Sequence, residues 1–192
     1  MDSNTRIITH HHHVTLTALP ADVEYFFSIR SPETRFVSGF YSRKRKGRPR
    51  CNSQWTSDER EAFLHFEHAN DLAEALFTQG PRGWQAFAAM QAITHLATNQ
   101  CAFFKYCGGF LADRPPLTII RQQHFDRDIG VLFRKLRLAT HPSMETDPVR
   151  IHKNDYTGVK PLSEQSRRSL RIWCAQDFKL YWHCSSWLES QT

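Results

Sequence analysis

The sequence has no long hydrophobic run and no leader-like N-terminus. A membrane-spanning helix needs about 18 or more consecutive apolar residues, and no stretch of the 192 residues approaches that length. Residues 1–13 lack the apolar core of a signal peptide. These two absences predict a soluble, cytoplasmic chain without a membrane span.

Close cysteine pairs are also missing. Of the five cysteines, Cys101 and Cys107 are six residues apart, Cys174 and Cys184 are ten apart, and Cys51 is isolated. Structural zinc sites and redox sites typically use cysteines separated by only two to four residues. We therefore predict no metal site and expect reduced, mostly buried thiols.

A glycine-rich phosphate loop is absent as well. The sequence contains neither a Gly-x-x-x-x-Gly-Lys-Ser/Thr string nor a Pro-Lys-x-Gly-Gly-Thr-like string. In such loops, backbone N–H groups surround a phosphate and the lysine neutralises its charge. Any phosphate site in this sequence must therefore be built differently.

The sequence does have enough apolar residues to form a core. Hydrophobic residues make up 40% and aromatic residues 12% of the chain, which argues against wholesale disorder. A chain of 192 residues is a normal size for one structural unit. We expect a single domain over residues 1–192.

Positive charge predominates, with a formal net charge of +6. Much of the excess lies in residues 43–50, whose sequence is Arg-Lys-Arg-Lys-Gly-Arg-Pro-Arg. A solvated loop, a nuclear signal, or a surface for nucleic acid or an acidic glycan would each account for such a run. The charge indicates anionic partners without choosing among them.

Two segments have the pattern of a buried strand followed at once by a helix. Residues 24–30 are aromatic and β-branched, and Ser31-Pro32 is a helix-start signature that predicts a helix to about Lys44. Residues 117–120 form a second such strand, followed by a helix from His124. Two strand–helix units predict an α/β fold with parallel pairing.

Further helices are predicted from capping signals and apolar periodicity. Thr56 and Glu59 have capping-box spacing, and Asn70 is placed to cap a short helix. Residues 83–99 read as one longer amphipathic helix. Ser163 is expected to cap a single terminal helix that continues to about Leu188.

The first strand–helix junction carries the chemistry. Arg30 stands at the predicted strand end, and Ser38 lies about two turns into the helix. A helix start attracts anions, and a guanidinium can hold a phosphate with two parallel hydrogen bonds. Together they predict a phosphate-binding site, unless Arg30 and Arg35 instead pair with acids such as Glu33.

The string Phe26-Phe27-Ser28-Ile29-Arg30-Ser31-Pro32-Glu33-Thr34-Arg35-Phe36-Val37-Ser38 resembles a known motif. It is similar to the 3′-phosphate-binding motif of sulfotransferases that use 3′-phosphoadenosine 5′-phosphosulfate (PAPS). The closest similarity is to carbohydrate sulfotransferases related to heparan sulfate 2-O-sulfotransferase. Weaker similarity at residues 121–128 and 162–181 extends the resemblance over roughly residues 10–188.

The resemblance implies a fold, a cofactor and site residues. It implies an α/β, P-loop-kinase-like sulfotransferase fold with a parallel sheet, helix-rich and N-terminally truncated. Arg30 and Ser38 would bind the 3′-phosphate of PAPS, with Arg35 nearby. The reaction would transfer a sulfuryl group to a hydroxyl of a carbohydrate, without a metal, and Lys153 would lie near the donor. A remnant that is not an enzyme, or a basic protein that binds polyanions, is the alternative.

Four consecutive histidines precede this motif. The uronyl 2-O-sulfotransferases carry a His-x-His-Val string just before the phosphate-binding strand, and His11-His12-His13-Val14 resembles it. The resemblance implies that His13 or His11 is the base that removes the acceptor proton, since imidazole titrates near neutral pH. A solvated polyhistidine patch, adventitious metal binding or part of a tag are the alternatives.

The family's first strand, loop and helix have no counterpart before Arg30. In these enzymes that unit holds the 5′-phosphosulfate, so we expect a chain that lacks it to be weakly active or inactive. Three explanations for the missing unit stay open: the chain is a fragment of a longer enzyme, the gene has decayed, or a partner chain supplies the unit.

Overall fold

A two-stranded parallel sheet surrounded by helices forms the frame of the molecule. We analyse a computed structural model that describes residues 6–10, 14–104, 109–138 and 156–191. Strand β1 (Phe26–Ile29) pairs with β2 (Thr118–Arg121), and Phe26 lies opposite Thr118. The strands run in parallel, which confirms the predicted pairing and the helix-rich α/β class.

Each strand runs directly into a helix. The helices of the described residues are α1 (Pro32–Lys44), α2 (Ser57–His65), α3 (Ala69–Ala75), α4 (Pro81–Ala92), α5 (Thr94–Ala97), α6 (Phe110–Asp113), α7 (Phe125–Lys135), α8 (Glu164–Trp173) and α9 (Ala175–Glu189). β1 leads into α1 and β2 leads into α7. The ends of β1 and β2 therefore open at the same edge of the sheet, above the starts of two helices.

The helix caps follow the local sequence closely. The Ser31 side chain accepts a hydrogen bond from the Thr34 N–H (3.4 Å), and Pro32 is the first residue of α1, as predicted. Thr56 and Glu59 form both halves of a capping box at α2. Each of these two caps is formed by residues three apart in sequence, so it can form without tertiary contacts.

The prediction of one continuous helix over residues 83–99 is wrong. Ile93 has an extended conformation (φ −70°, ψ 105°) and separates α4 from α5. The break leaves the Thr94 N–H and Oγ1 to donate to Glu59 Oε1 at 3.1 and 2.9 Å. A buried carboxylate 35 residues earlier in the chain thus interrupts this helix.

Two other helix predictions need correction. His68, rather than Asn70, precedes α3, and Asn70 is buried, where its Oδ1 accepts from the Ser163 N–H at 2.7 Å. Ser163 caps α8 as expected, but the terminal helix is divided at Cys174 into α8 and α9. For Asn70, a long-range polar contact that is absent from the local pattern determines the outcome.

The described residues contain two clusters of buried apolar side chains. The larger is formed by α1 to α5 with α8 and includes Phe40, Phe66 and Leu170. The smaller lies between the sheet and α9 and includes Ile119 and Leu180. None of the helices in the described ranges is long and apolar enough to cross a membrane. The assignment of residues 1–192 to a single domain stays a prediction.

Candidate functional site

Arg30 is fixed at the end of β1 by a glutamine from a distant segment. The Arg30 N–H donates to Gln100 Oε1 at 3.0 Å, and Gln100 Nε2 donates to the Arg30 carbonyl at 2.9 Å. One carboxamide thus satisfies both main-chain groups of Arg30, as a neighbouring strand would. This pair of bonds fixes the main chain of Arg30 directly after β1.

Gln100 is itself held by the buried carboxylate of Asp177 on α9. Asp177 Oδ2 accepts from the Gln100 N–H, and Oδ1 accepts from the Cys101 N–H, both at 2.9 Å. Asp177 is only 1% exposed. A buried carboxylate without such donors would be strongly destabilising, so Asp177, Gln100 and Arg30 form one connected polar network.

The Arg30 guanidinium has no carboxylate partner among the described residues. It is partly buried, and removal from water lowers its pKa from the ordinary value. The other buried arginines are paired: Arg121, at the equivalent end of β2, with Asp128 (2.9 Å), and Arg43 with Glu59 (2.5 Å). A partly desolvated cation attracts an anion, which makes Arg30 a candidate binding residue.

The acid that might have paired with Arg30 or Arg35 is engaged elsewhere. Glu33 forms an ion pair with Arg167 of α8. Arg35 donates from Nη2 to the Thr98 carbonyl at 2.5 Å and so holds the segment that follows α5. Pairing with Glu33, the alternative for Arg30 and Arg35, is therefore absent from the structure.

Ser38 lies on the surface of α1 that also carries Thr34 and Tyr41. Residues three and four apart on a helix share one face, and Ser38 is partly buried there. At one end of this face, Gln123 Nε2 from the turn after β2 donates to Thr34 Oγ1 at 3.0 Å. At the other end, the Tyr41 ring packs against Tyr156, with ring centroids 6.4 Å apart.

Tyr156 packs against this face of α1 and was missed by the sequence reasoning. It contacts Tyr41 and also lies within electrostatic reach of the Arg30 guanidinium. Tyr156 therefore packs against the face of α1 that also carries Ser38. No local pattern marks Tyr156, because it enters the site from a loop more than a hundred residues further along the chain.

The basic run is largely engaged with the protein itself. Arg43 is buried and donates to both oxygens of Glu59 and to the carbonyls of Ser53 and Gln54. Lys44 Nζ donates to the Glu67 carbonyl, and Lys46 Nζ lies 4.8 Å from the Trp55 ring centre. Of the alternatives for this run, a solvated loop does not describe the buried Arg43, whereas Arg48 and Arg50 are exposed.

Two shallow cavities in the described part lie away from Arg30. One, of about 350 Å³, is at the starting ends of the strands, between residues 21–25 and 114–117. The other, of about 400 Å³, lies beside residues 97–104 and Gln176. Neither is lined by Arg30 or Ser38.

The remaining candidate residues fall outside the described ranges. His11, His13 and Lys153 are among them, so their roles stay predictions. Within the described ranges, no group of three or more His, Cys, Asp and Glu side chains is placed to hold a metal ion.

The cysteines differ from expectation in one respect. Cys101 is disulfide-bonded, while Cys51, Cys174 and Cys184 are free thiols. Disulfide formation depends on the distance between two cysteines in space, which their spacing in sequence does not determine. Burial raises the pKa of the Cys174 thiol to about 11 and that of Cys184 to about 12.

No protein-family model, curated protein or solved structure matches the chain. Function therefore has to be inferred from the residues of the site.

Proposed function

We propose that the turn between β1 and α1 binds the 3′-phosphate of an adenosine nucleotide, and that this is a sulfotransferase-like protein whose donor is PAPS. The guanidinium of Arg30 carries the proposal. It is partly buried at the end of a strand, held by Gln100, and without an acidic partner in the described ranges. A phosphate would supply the negative charge that this position lacks.

Ser38 and the strand–helix geometry support the same proposal. A hydroxyl on α1 can donate a further hydrogen bond to a phosphate oxygen held by the guanidinium. The two parallel strand–helix units, β1–α1 and β2–α7, are compatible with a P-loop-kinase-like sheet. That finer fold is part of the proposal, as are the 3′-phosphate roles of Arg30 and Ser38.

Arg35 has a supporting role in this proposal. Its guanidinium donates to the Thr98 carbonyl, so it braces the segment that carries Gln100. We propose that it acts on the phosphate through this bracing and not as a direct ligand.

The reaction proposed is transfer of a sulfuryl group from PAPS to a carbohydrate hydroxyl, with His13 or His11 as the base. The sequence contains no glycine-rich loop for the 5′-phosphosulfate. Loss of one oxyanion-type donor typically costs about 3 kcal/mol of transition-state stabilisation. The chain is therefore expected to bind the nucleotide better than it catalyses transfer, and binding is the sharper test.

A polyanion-binding protein is the second candidate. The exposed Arg48 and Arg50 and the net charge of +6 favour it. The remaining members of the basic run weaken it, because Arg43, Lys44 and Lys46 are engaged within the protein.

The test is calorimetric titration with 3′-phosphoadenosine 5′-phosphate (PAP), the donor product. Arg30→Ala should weaken binding by about 30-fold or more, because hydrogen bonds to charged groups contribute about 1.5–3 kcal/mol each. Ser38→Ala should weaken it about fivefold, as expected for one hydrogen bond of about 1 kcal/mol.

Arg60→Ala is the matched control, since Arg60 is exposed on α2 and its loss removes the same charge. It should leave PAP affinity unchanged. Absence of PAP binding by the folded wild-type protein, or equal loss in the Arg30 and Arg60 variants, would contradict the proposal.

A further inference from the structure

A group of aromatic side chains lies at the surface where the turn after α3, helix α4 and the end of α8 meet. We call this group the aromatic patch and define it as Phe77, Trp84, Phe87 and Trp173. The Trp173 ring contacts two of the others, with centroid distances of 6.3 Å to Phe77 and 5.3 Å to Phe87. Trp84 is three residues before Phe87 on α4 and therefore shares its face of the helix.

Three members of the aromatic patch are largely exposed. Trp84 is 74% exposed, Phe77 57% and Phe87 49%. Single apolar residues on a surface need no explanation, but neighbouring large ones mark an interaction site. Phe77 also has a positive φ of 64°, which is unfavourable for a bulky side chain. The fold thus presents this ring to solvent in spite of an unfavourable backbone conformation.

The exposed face of α4 and the turn before it carry no charge at the aromatic patch. Residues 77–80 are Phe-Thr-Gln-Gly, and the exposed residues of α4 after Arg82 are Trp84, Phe87, Ala88 and Gln91. Arg82 is directed elsewhere: its Nη1 donates to the His65 carbonyl at 2.9 Å, and its guanidinium lies 4.1 Å from the Phe66 ring centre. Arg171 is two residues before Trp173 and so points roughly 160° away from it around α8.

This charge pattern indicates which partner the aromatic patch fits. A polyanion or an anionic membrane surface is held by lysine and arginine side chains, which this face of α4 lacks. Two copies of the chain each carry a net charge of +6 and repel each other, unless they meet through uncharged surfaces. The neutral face of α4 is such a surface. It is also self-complementary in shape, because it combines the large Trp84 and Phe87 with the small Ala88.

The size of the aromatic patch agrees with a dimer contact. An aromatic side chain buries about 150–250 Å² when it is fully covered, so the three exposed rings offer on the order of 400 Å² of apolar area. A stable interface buries about 800 Å² on each partner, and about 65% of it is apolar in homodimers. Together with the neutral residues beside it, the aromatic patch supplies most of one such interface.

We propose that the aromatic patch is the contact surface of a two-fold symmetric homodimer, in which the α4 helices of two copies pack antiparallel. In such a dimer both copies contribute the same surface. Trp84 is the most exposed member and the central anchor of the contact, since buried tryptophans dominate the binding energy of interfaces. This inference does not depend on the proposed nucleotide site, because Arg30 is not part of the aromatic patch.

Sedimentation equilibrium of the full chain over a series of concentrations tests this proposal. All proteins carry Cys51→Ser, because the exposed Cys51 thiol is otherwise free to cross-link two chains. The chain without further changes should form dimers. Trp84→Ala should raise the Kd of the dimer at least about 30-fold, as expected for an interface hot spot. Trp182→Ala is the matched control, since Trp182 is 64% exposed on α9, and it should leave the Kd unchanged.

A pair of charged variants at Ala88 tests the symmetry of the contact. Ala88 is exposed in the middle of the α4 face, so an antiparallel pair of α4 helices places it near the two-fold axis. Ala88→Lys or Ala88→Glu alone brings like charges together and should give a monomer. An equimolar mixture of the two variants should associate more tightly than either alone. Lysine and glutamate are good helix formers, so α4 should be retained in both.

Each contrary outcome overturns the proposal. A chain that stays monomeric up to roughly 1 mM does not self-associate specifically. Equal association of the Trp84→Ala and Trp182→Ala variants would place the contact elsewhere, and mixed Ala88 variants that associate no better than each alone would exclude the antiparallel pairing of α4. Added salt should leave the dimer unchanged or strengthen it, because screening reduces the repulsion between two chains of charge +6. A dimer that dissociates as salt is raised has a charged contact and contradicts the proposal.

Discussion

Glu59 joins three helices through one buried carboxylate. Its oxygens accept from Arg43 Nε (2.6 Å) and Nη2 (2.5 Å) on α1, from the Thr56 N–H (3.2 Å), and from the Thr94 N–H and Oγ1. The side chain is fully buried. Burial alone would raise the pKa of Glu59, but these hydrogen bonds outweigh it and lower the pKa to about 2.

The lowered pKa of Glu59 predicts a pH-dependent contribution to stability. The pKa falls from an ordinary 4.5 to about 2, so the folded state favours the ionised form. The contribution is present above pH 4.5 and is lost as the pH falls towards 2. Its size is on the order of 3 kcal/mol.

Glu59→Gln checks this prediction, with urea unfolding measured between pH 7 and pH 2.5. The difference in unfolding free energy between wild type and variant should shrink as the pH falls below about 4.5. Other carboxylates titrate in both proteins and so cancel in the difference. A difference that stays constant over this range would show that Glu59 is not the titrating group.

At the scale of secondary-structure elements, α1 and α5 pack closely at Gly39. A Cβ placed on Gly39 would lie 3.0 Å from Leu96 Cδ2, 3.2 Å from His95 Cβ and 3.3 Å from the His95 carbonyl oxygen. A Cβ here would force its neighbours to shift by a few tenths of an ångström, so glycine allows the close approach although it weakens the helix itself. The close approach helps to hold the segment after α5, from which Gln100 reaches Arg30.

Gly39→Ala and Gly130→Ala form a matched pair that isolates this contact. Both gain about 1 kcal/mol of helix propensity. On α7, a Cβ at Gly130 would meet only the Arg134 side chain, at 3.7 Å. Gly130→Ala should therefore be more stable than wild type, and Gly39→Ala less stable than Gly130→Ala by about 1–3 kcal/mol because of overpacking. Chemical denaturation measures both, and equal stability would rule out the close contact.

At the scale of the whole molecule, the charge distribution separates the two candidate functions. The protein carries a formal net charge of +6, so it should bind a polyanion such as heparin with an affinity that falls with salt. The exposed part of the basic run, Arg48 and Arg50, lies beyond the end of α1 and not at Arg30.

The double variant Arg48→Ala, Arg50→Ala should weaken heparin binding. The slope of log K against log salt concentration should also become less steep, by up to about 2. PAP affinity should not change in this variant. Conversely, Arg30→Ala should leave heparin binding unaltered. Titrations at several salt concentrations measure both, and a parallel loss of both ligands in one variant would show a single shared surface.

Much of the frame was predictable because it depends on neighbours in sequence. The start of α1 at Ser31-Pro32 and the capping box of α2 follow from residues within one turn. The strand–helix order around Arg30 was also predicted. The break at Ile93 and the position of Asn70 were not, because Glu59 and Ser163 act on them from distant parts of the chain.

The sequence by itself determined the strand end, the helix start and the presence of Arg30 and Ser38 at that junction, since each depends on local backbone preferences and capping. Only the tertiary structure decided which charged side chains pair with one another. It paired Glu33 with Arg167, Arg43 with Glu59 and Arg121 with Asp128, and among the described residues it placed no carboxylate against Arg30. Which charges meet depends on how distant segments pack, and no local pattern encodes that.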